Sequence, residues 1–79
     1  MRREWEIIPE CNNEETGEPQ QWACKVDSKK YGTYVWITKA SDTQYDVEYM
    51  KKVGDYEDIF VLKPCKSLTS AKRWVAMNI

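Results

Sequence analysis

The sequence predicts an α+β domain: an antiparallel meander of four or five strands with one C-terminal helix packed on one face. Three observations carry this. Helical periodicity is confined to the end of the chain, from Cys65 to Ile79. The stretches before it alternate apolar and polar residues with a period of two, or are apolar on both faces. Short polar turns separate those stretches, and sequential strands joined by short turns favour antiparallel neighbours.

The helix is the element that the rest must accommodate. Ser67 is a natural N-cap, because its hydroxyl can accept a backbone N–H left without a partner in the first turn. At about 100° per residue, Leu68, Ala71, Val75 and Ile79 fall on one stripe with Trp74 at its shoulder. Such a stripe needs a flat apolar surface to close over, and a sheet supplies one.

In chain order, Trp5-Glu6-Ile7-Ile8 predicts a short first strand that Pro9 ends. Residues 10–20 hold almost nothing to bury and contain Gly17 and Pro19, which predicts a mobile acidic loop. Gln21 to Asp27 alternates, with Trp22, Cys24 and Val26 inward. Tyr34 to Thr38 is apolar on both sides, the mark of a central strand. Tyr45 to Tyr49 alternates again and sets Tyr45, Val47 and Tyr49 together. Lys51 to Asp58 predicts a charged loop, and Ile59 to Lys63 a last strand, apolar on both sides and stopped by Pro64. One helix covers one face of such a sheet, so either Tyr34 and Trp36 or Val35 and Ile37 are left bare.

Size and composition narrow the class. Seventy-nine residues predict one domain, residues 1–79, without room for a second core. Four Trp, five Tyr and one Phe compensate for the short chain, because each ring buries a large area. The three cysteines cannot all pair internally, lack the clustered spacing of a metal knuckle, and have no histidine to complete one. Arg2 and Arg3 sit where a leader would need an apolar run, and no stretch has the eighteen or so apolar residues of a membrane span. These features predict a reduced, cytoplasmic protein with no metal, no cofactor and no membrane partner. Net charge is −1, but its distribution is polar: residues 4–18 carry six acids and no base, whereas residues 59–79 carry Lys63, Lys66, Lys72 and Arg73 and no acid.

Catalytic patterns are sparse. The absence of histidine removes Ser-His-Asp and Cys-His constellations and the commonest general base. Gly17, Gly32 and Gly54 are too scattered to cradle a phosphate. Asp46 and Glu48 share a strand face about 7 Å apart, a spacing at which two carboxylates can divide acid and base roles. On an alternating strand they read as the wet face. Cys65 lies beside the helix start, where the dipole and Lys66 would favour a thiolate; with no base nearby it reads as a small apolar filler. The expectation is a non-enzyme.

Two binding readings remain. The first is a protein-interaction module, self-associating or binding a protein partner, with Tyr34, Val35, Trp36, Ile37, Phe60 and Leu62 as interface candidates on an uncovered sheet face. The second is a weak nucleic-acid binder that uses Lys63, Lys66, Lys72 and Arg73 for phosphates and aromatic rings for stacking. A pI near 5.4 weighs against the second. A third option assigns phosphate mimicry to the acidic loop. Finally, the ending Cys-Lys-Ser-Leu-Thr-Ser-Ala-Lys-Arg-Trp-Val, following a two-faced strand, resembles the close of small uncharacterised proteins of bacterial phage and mobile-element type. In these, a strand-rich body ends in a Ser-Leu-x-x-Ala-Lys helix. The resemblance spans residues 59–79, brings no catalytic residues, and implies a bacterial or phage cytoplasmic accessory protein that acts by binding.

Overall fold

The structure, a computed structural model, describes residues 4–79; Arg2 and Arg3, on which the leader argument drew, lie outside the described residues. The elements are β1 (Trp5–Ile7), a 3-10 turn (Pro9–Cys11), β2 (Gln21–Ser28), β3 (Gly32–Ser41), β4 (Gln44–Val53), β5 (Tyr56–Cys65) and α1 (Leu68–Asn78). The strands form one antiparallel meander in the order β1-β2-β3-β4-β5. The extents are 36 × 31 × 19 Å. At about 10 Å per layer, the shortest dimension holds one sheet and one helix and no third layer.

Alternation decides which side the helix takes. Val35 and Ile37 on β3 are fully buried, as are Val47 on β4 and Ala71 and Val75 on the helix. The register aligns Cys24 with Val35, Trp22 with Ile37, and Ile37 with Val47, so one face collects the apolar rows of three strands. Leu68, Trp74 and Ile79 pack against that cluster, completing the predicted stripe. Ser67 accepts the Ser70 amide at 3.1 Å, as an N-cap should. Beyond the reach of the helix, rings close the same face: Trp22 lies 6.0 Å from Tyr45, and Tyr49 lies 5.3 Å from Tyr31 and 5.8 Å from Phe60.

Three local features differ from the sequence expectation, each for a physical reason. Lys51 to Asp58 is the tip of the β4–β5 hairpin, because cross-strand pairing sets Lys51 opposite Asp58 and Lys52 opposite Glu57. Gly54, at φ +63°, fills the first position of the two-residue turn, where a left-handed backbone is required. Pro64 does not stop β5, which continues to Cys65; β5 is an edge strand, where a missing N–H can face away from the ladder. A bulge between Val47–Lys63 and Glu48–Val61 makes Leu62 the extra residue; Leu62 keeps the core side it shares with Phe60, and Lys63 is brought opposite Val47. The acidic loop carries local hydrogen bonds of its own. The Asn13 side chain accepts the amides of Glu15 and Thr16 at 2.8 and 3.1 Å, and the Asn13 carbonyl accepts Gly17 at 2.7 Å.

Asp27 has φ +48° within an irregularity of β2. Asp27→Val is expected to lower stability by about 1–2 kcal/mol, because a β-branched side chain resists that backbone. Asp27→Gly is expected to leave stability unchanged or raised. Ile37→Ala, in the core, is expected to cost about 2–5 kcal/mol. Urea denaturation of the three variants checks all of these.

Candidate interaction face

The face away from the helix is built by the alternate residues of the same strands. One row across the sheet runs Glu6, Ala23, Trp36, Glu48, Val61, each opposite the next. In the adjacent row Lys25 opposes Tyr34, and Met50 opposes Ile59. The apolar members Tyr34, Met50, Ile59 and Val61 are 43%, 37%, 53% and 52% exposed, and Trp36 is half-buried among them. Tyr34 and Trp36, two residues apart on one strand, set their rings 6.1 Å apart and tilted by 35°, within the range of favourable aromatic pairs.

The surface is shaped around Trp36 and Met50, which wall two shallow depressions. One, of about 160 Å³, is lined by Gln21, Trp36, Glu48, Met50 and Ile59. The other, of about 390 Å³, extends over Tyr34 toward Lys52 and Glu57. Polar groups frame the apolar centre. Gln21 Nε2 donates to Thr38 Oγ1 at 3.0 Å, and Thr38 Oγ1 donates in turn to Glu48 Oε1, tying together β2, β3 and β4. Asp46 Oδ1 accepts from Gln44 Nε2 at 2.9 Å. Asp46 and Glu48 therefore each hold a neighbour on the sheet surface, as members of a polar border.

The six interface candidates divide. Tyr34 and Trp36 stand on the open face. Val35 and Ile37 are fully buried under the helix and leave the set, because alternation that exposes one pair buries the other. Phe60 pairs with Tyr49 on the helix-bearing side, and Leu62 packs on the core from the bulge. Met50, Ile59 and Val61 take their place. The alternation of Ile59 and Val61 with Phe60 and Leu62 was the available signal, but choosing between the pairs required the β4–β5 register. Among the cations, Lys63, Lys66 and Arg73 are exposed and Lys72 half-buried, and none makes an ion pair among the described residues. Lys72 and Arg73 ride on α1, so the sheet separates them from the rings of Tyr34 and Trp36.

No metal-binding group of three or more His, Cys, Asp or Glu side chains occurs among the described residues, and no helix among them is long and apolar enough to cross a membrane. Cys11 is exposed, Cys65 intermediate and Cys24 buried, and no disulfide joins them. Burial pushes the Cys65 thiol above its ordinary range; Lys63 pulls it back and Asp46 adds to the rise. The helix start thus does not make Cys65 a thiolate. Comparison with protein-family models, curated proteins and solved structures finds no match to this chain.

Alkylation by iodoacetamide is expected to modify Cys11 first, Cys65 more slowly, and Cys24 only as the protein unfolds. The Cys65 rate profile should lie on the alkaline side of an ordinary thiol. Because folding holds this proton more tightly, the associated stability is present below the ordinary thiol range and is lost as pH rises through the folded value. A Cys65 profile at or below the ordinary range would contradict the assignment.

Proposed function

We propose that the chain is a non-enzymatic protein-interaction module that binds through the open face of its sheet, with self-association as the simplest form. The observation that supports this is the layout of that face: Tyr34, Trp36, Met50, Ile59 and Val61 form its apolar part, with Glu48 set between Trp36 and Val61 and with Lys25, Lys52 and Glu57 around them. An apolar centre rich in aromatic residues within a polar border is the anatomy of a protein interface, and Trp and Tyr dominate binding energy in such centres.

Nucleic-acid binding through Lys63, Lys66, Lys72 and Arg73 is the competing use. It has clustered cations and the half-buried Trp74 beside them in its favour, but the helix cations stand on the side of the sheet opposite the Tyr34–Trp36 ring pair. In an amide chemical-shift titration with a short mixed-sequence oligonucleotide, residues 63–73 are expected not to move at physiological salt. Salt-sensitive shifts clustered there would favour this competing use over the interaction module.

The interaction reading predicts that benzoylphenylalanine introduced at Tyr34 gives one discrete photo-crosslinked species, either a doubled chain or a single partner. At Met77, the most exposed large apolar residue of the helix, it should give none. Trp36→Thr, which keeps a β-forming residue, should abolish the Tyr34 crosslink while costing about 1 kcal/mol of stability. Equal crosslinking from both positions, or persistence in the Trp36 variant, would overturn the reading.

A further inference from the structure

We infer that β5 is a self-pairing edge, and that its occupant is β5 of a second copy of this chain, joined antiparallel about a two-fold axis through Phe60. This rests on reading the chain as a binding module and names one partner for it. The sheet ends on β5, whose ten residues have a strand on one side only. An edge of that length with Ile59, Phe60 and Val61 exposed offers outward backbone groups as a template for another strand; the Ile59 amide, which donates to its own Asp58 Oδ1 at 2.9 Å, exchanges that bond for the second copy on pairing.

Charge along the strand selects both the partner and the register. After Tyr56, β5 carries Glu57 and Asp58, then four apolar residues, then Lys63 ahead of Pro64 and Cys65. A strand that is acidic at one end and basic at the other is complementary to itself when reversed, the requirement for an isologous two-fold interface. Pairing about Phe60 sets Ile59 opposite the second copy's Val61, both on the open face. The bulge then matters: Leu62 is the extra residue, so Lys63 comes opposite the second copy's Asp58. In each chain Asp58 opposes Lys51 and Lys63 opposes Val47, and both lie on the helix-bearing face, so the two charges meet on the same side. The symmetric counterpart repeats the pair. A register centred two residues earlier would oppose Asp58 to its own copy and is disfavoured by like charge.

The geometry also closes. Beyond Lys63 the next residue is Pro64, which has no N–H to donate, so the ladder ends there. The other edge, β1, has three residues and is followed by Pro9. Among the described residues, joining two copies through β5 leaves the three-residue β1 at each outer edge, a poor template that favours a closed pair. The resulting ten-stranded sheet makes the open faces of both copies continuous through Ile59 and Val61.

Sedimentation equilibrium of the full chain is expected to show a monomer–dimer equilibrium. Lys63→Glu should weaken it about tenfold or more, because both symmetric rungs change from attraction to repulsion. Asp58→Lys should weaken it likewise. An equimolar mixture of the K63E and D58K chains should restore dimers, since each chain then meets opposite charge at both rungs. Circular dichroism verifies folding; Asp58→Asn, which removes charge without adding any opposite Lys51, replaces D58K if that variant melts early, and the K63E–D58N mixture should then dimerise more tightly than K63E alone. A wild-type chain that stays monomeric, or mixtures that restore nothing, would overturn the inference while leaving open-face binding of another protein intact. Loss of the Tyr34 crosslink to any partner with the charge-swap rescue preserved would instead discard the open-face reading and keep the edge pairing.

Discussion

One helix has to serve a five-stranded sheet, and the rest of the structure follows from that shortage. Eleven helical residues span about 16 Å, roughly half the length of a ten-residue strand. The helix therefore crosses β3, β4 and β5 and leaves part of its own side to other groups. Large rings fill that remainder, with Trp22 on Tyr45 and the Tyr31–Tyr49–Phe60 row beyond the helix. An aromatic content of 13% is thus a substitute for helix, since a ring buries more area per residue than any aliphatic side chain. Nothing is left over for the second face.

Which face stays open is set by what stands beside each row of β3. Val35 and Ile37 have Cys24, Trp22, Val47 and Tyr49 as cross-strand neighbours, all apolar or aromatic. Tyr34 and Trp36 have Lys25, Ala23 and Glu48. Burying the second set under a helix would desolvate Lys25 and Glu48 without partners able to compensate, which costs more than exposing two aromatic residues. The charged neighbours force the choice. They also leave the rings within a bordered patch instead of isolated on the surface, and the Gln21–Thr38–Glu48 chain holds that border across three strands.

The parts of the fold that were readable from the sequence are those governed by short-range periodicity. The Ser67 cap, the Leu68–Ala71–Val75–Ile79 stripe and the alternation of Trp22, Cys24 and Val26 depend on residues within two or four positions of one another. The unreadable parts depend on partners far along the chain. Lys51 to Asp58 has the composition of a loop, and becomes strand only because each lysine finds an acid across the hairpin. Pro64 reads as a stop unless β5 is known to be an edge. The choice of Ile59 and Val61 over Phe60 and Leu62 for the open face turns on the β4–β5 register set at the hairpin turn, which period-two reading of one strand does not supply. The candidate site shared this fate: Tyr34 and Trp36 were legible as one of two alternatives, whereas Met50 acquires meaning only beside Ile59.

The meander order also settles what happens to the polar distribution of charge. Consecutive pairing keeps the first and last strands at opposite edges, so Glu4, Glu6 and the acids of the 10–20 loop stay far from Lys63, Lys66 and the helix cations. Within β5 the same separation recurs on a smaller scale, with Glu57 and Asp58 at one end and Lys63 at the other. The two scales have different consequences. A dipole across the sheet orients the molecule in a field but matches no particular surface at contact distance. A dipole along an edge strand acts at the spacing of neighbouring strands, about 4.8 Å, where opposite charges select register. The local arrangement on β5, more than the net charge or the gradient from end to end, is therefore where the electrostatics of this chain can specify a partner.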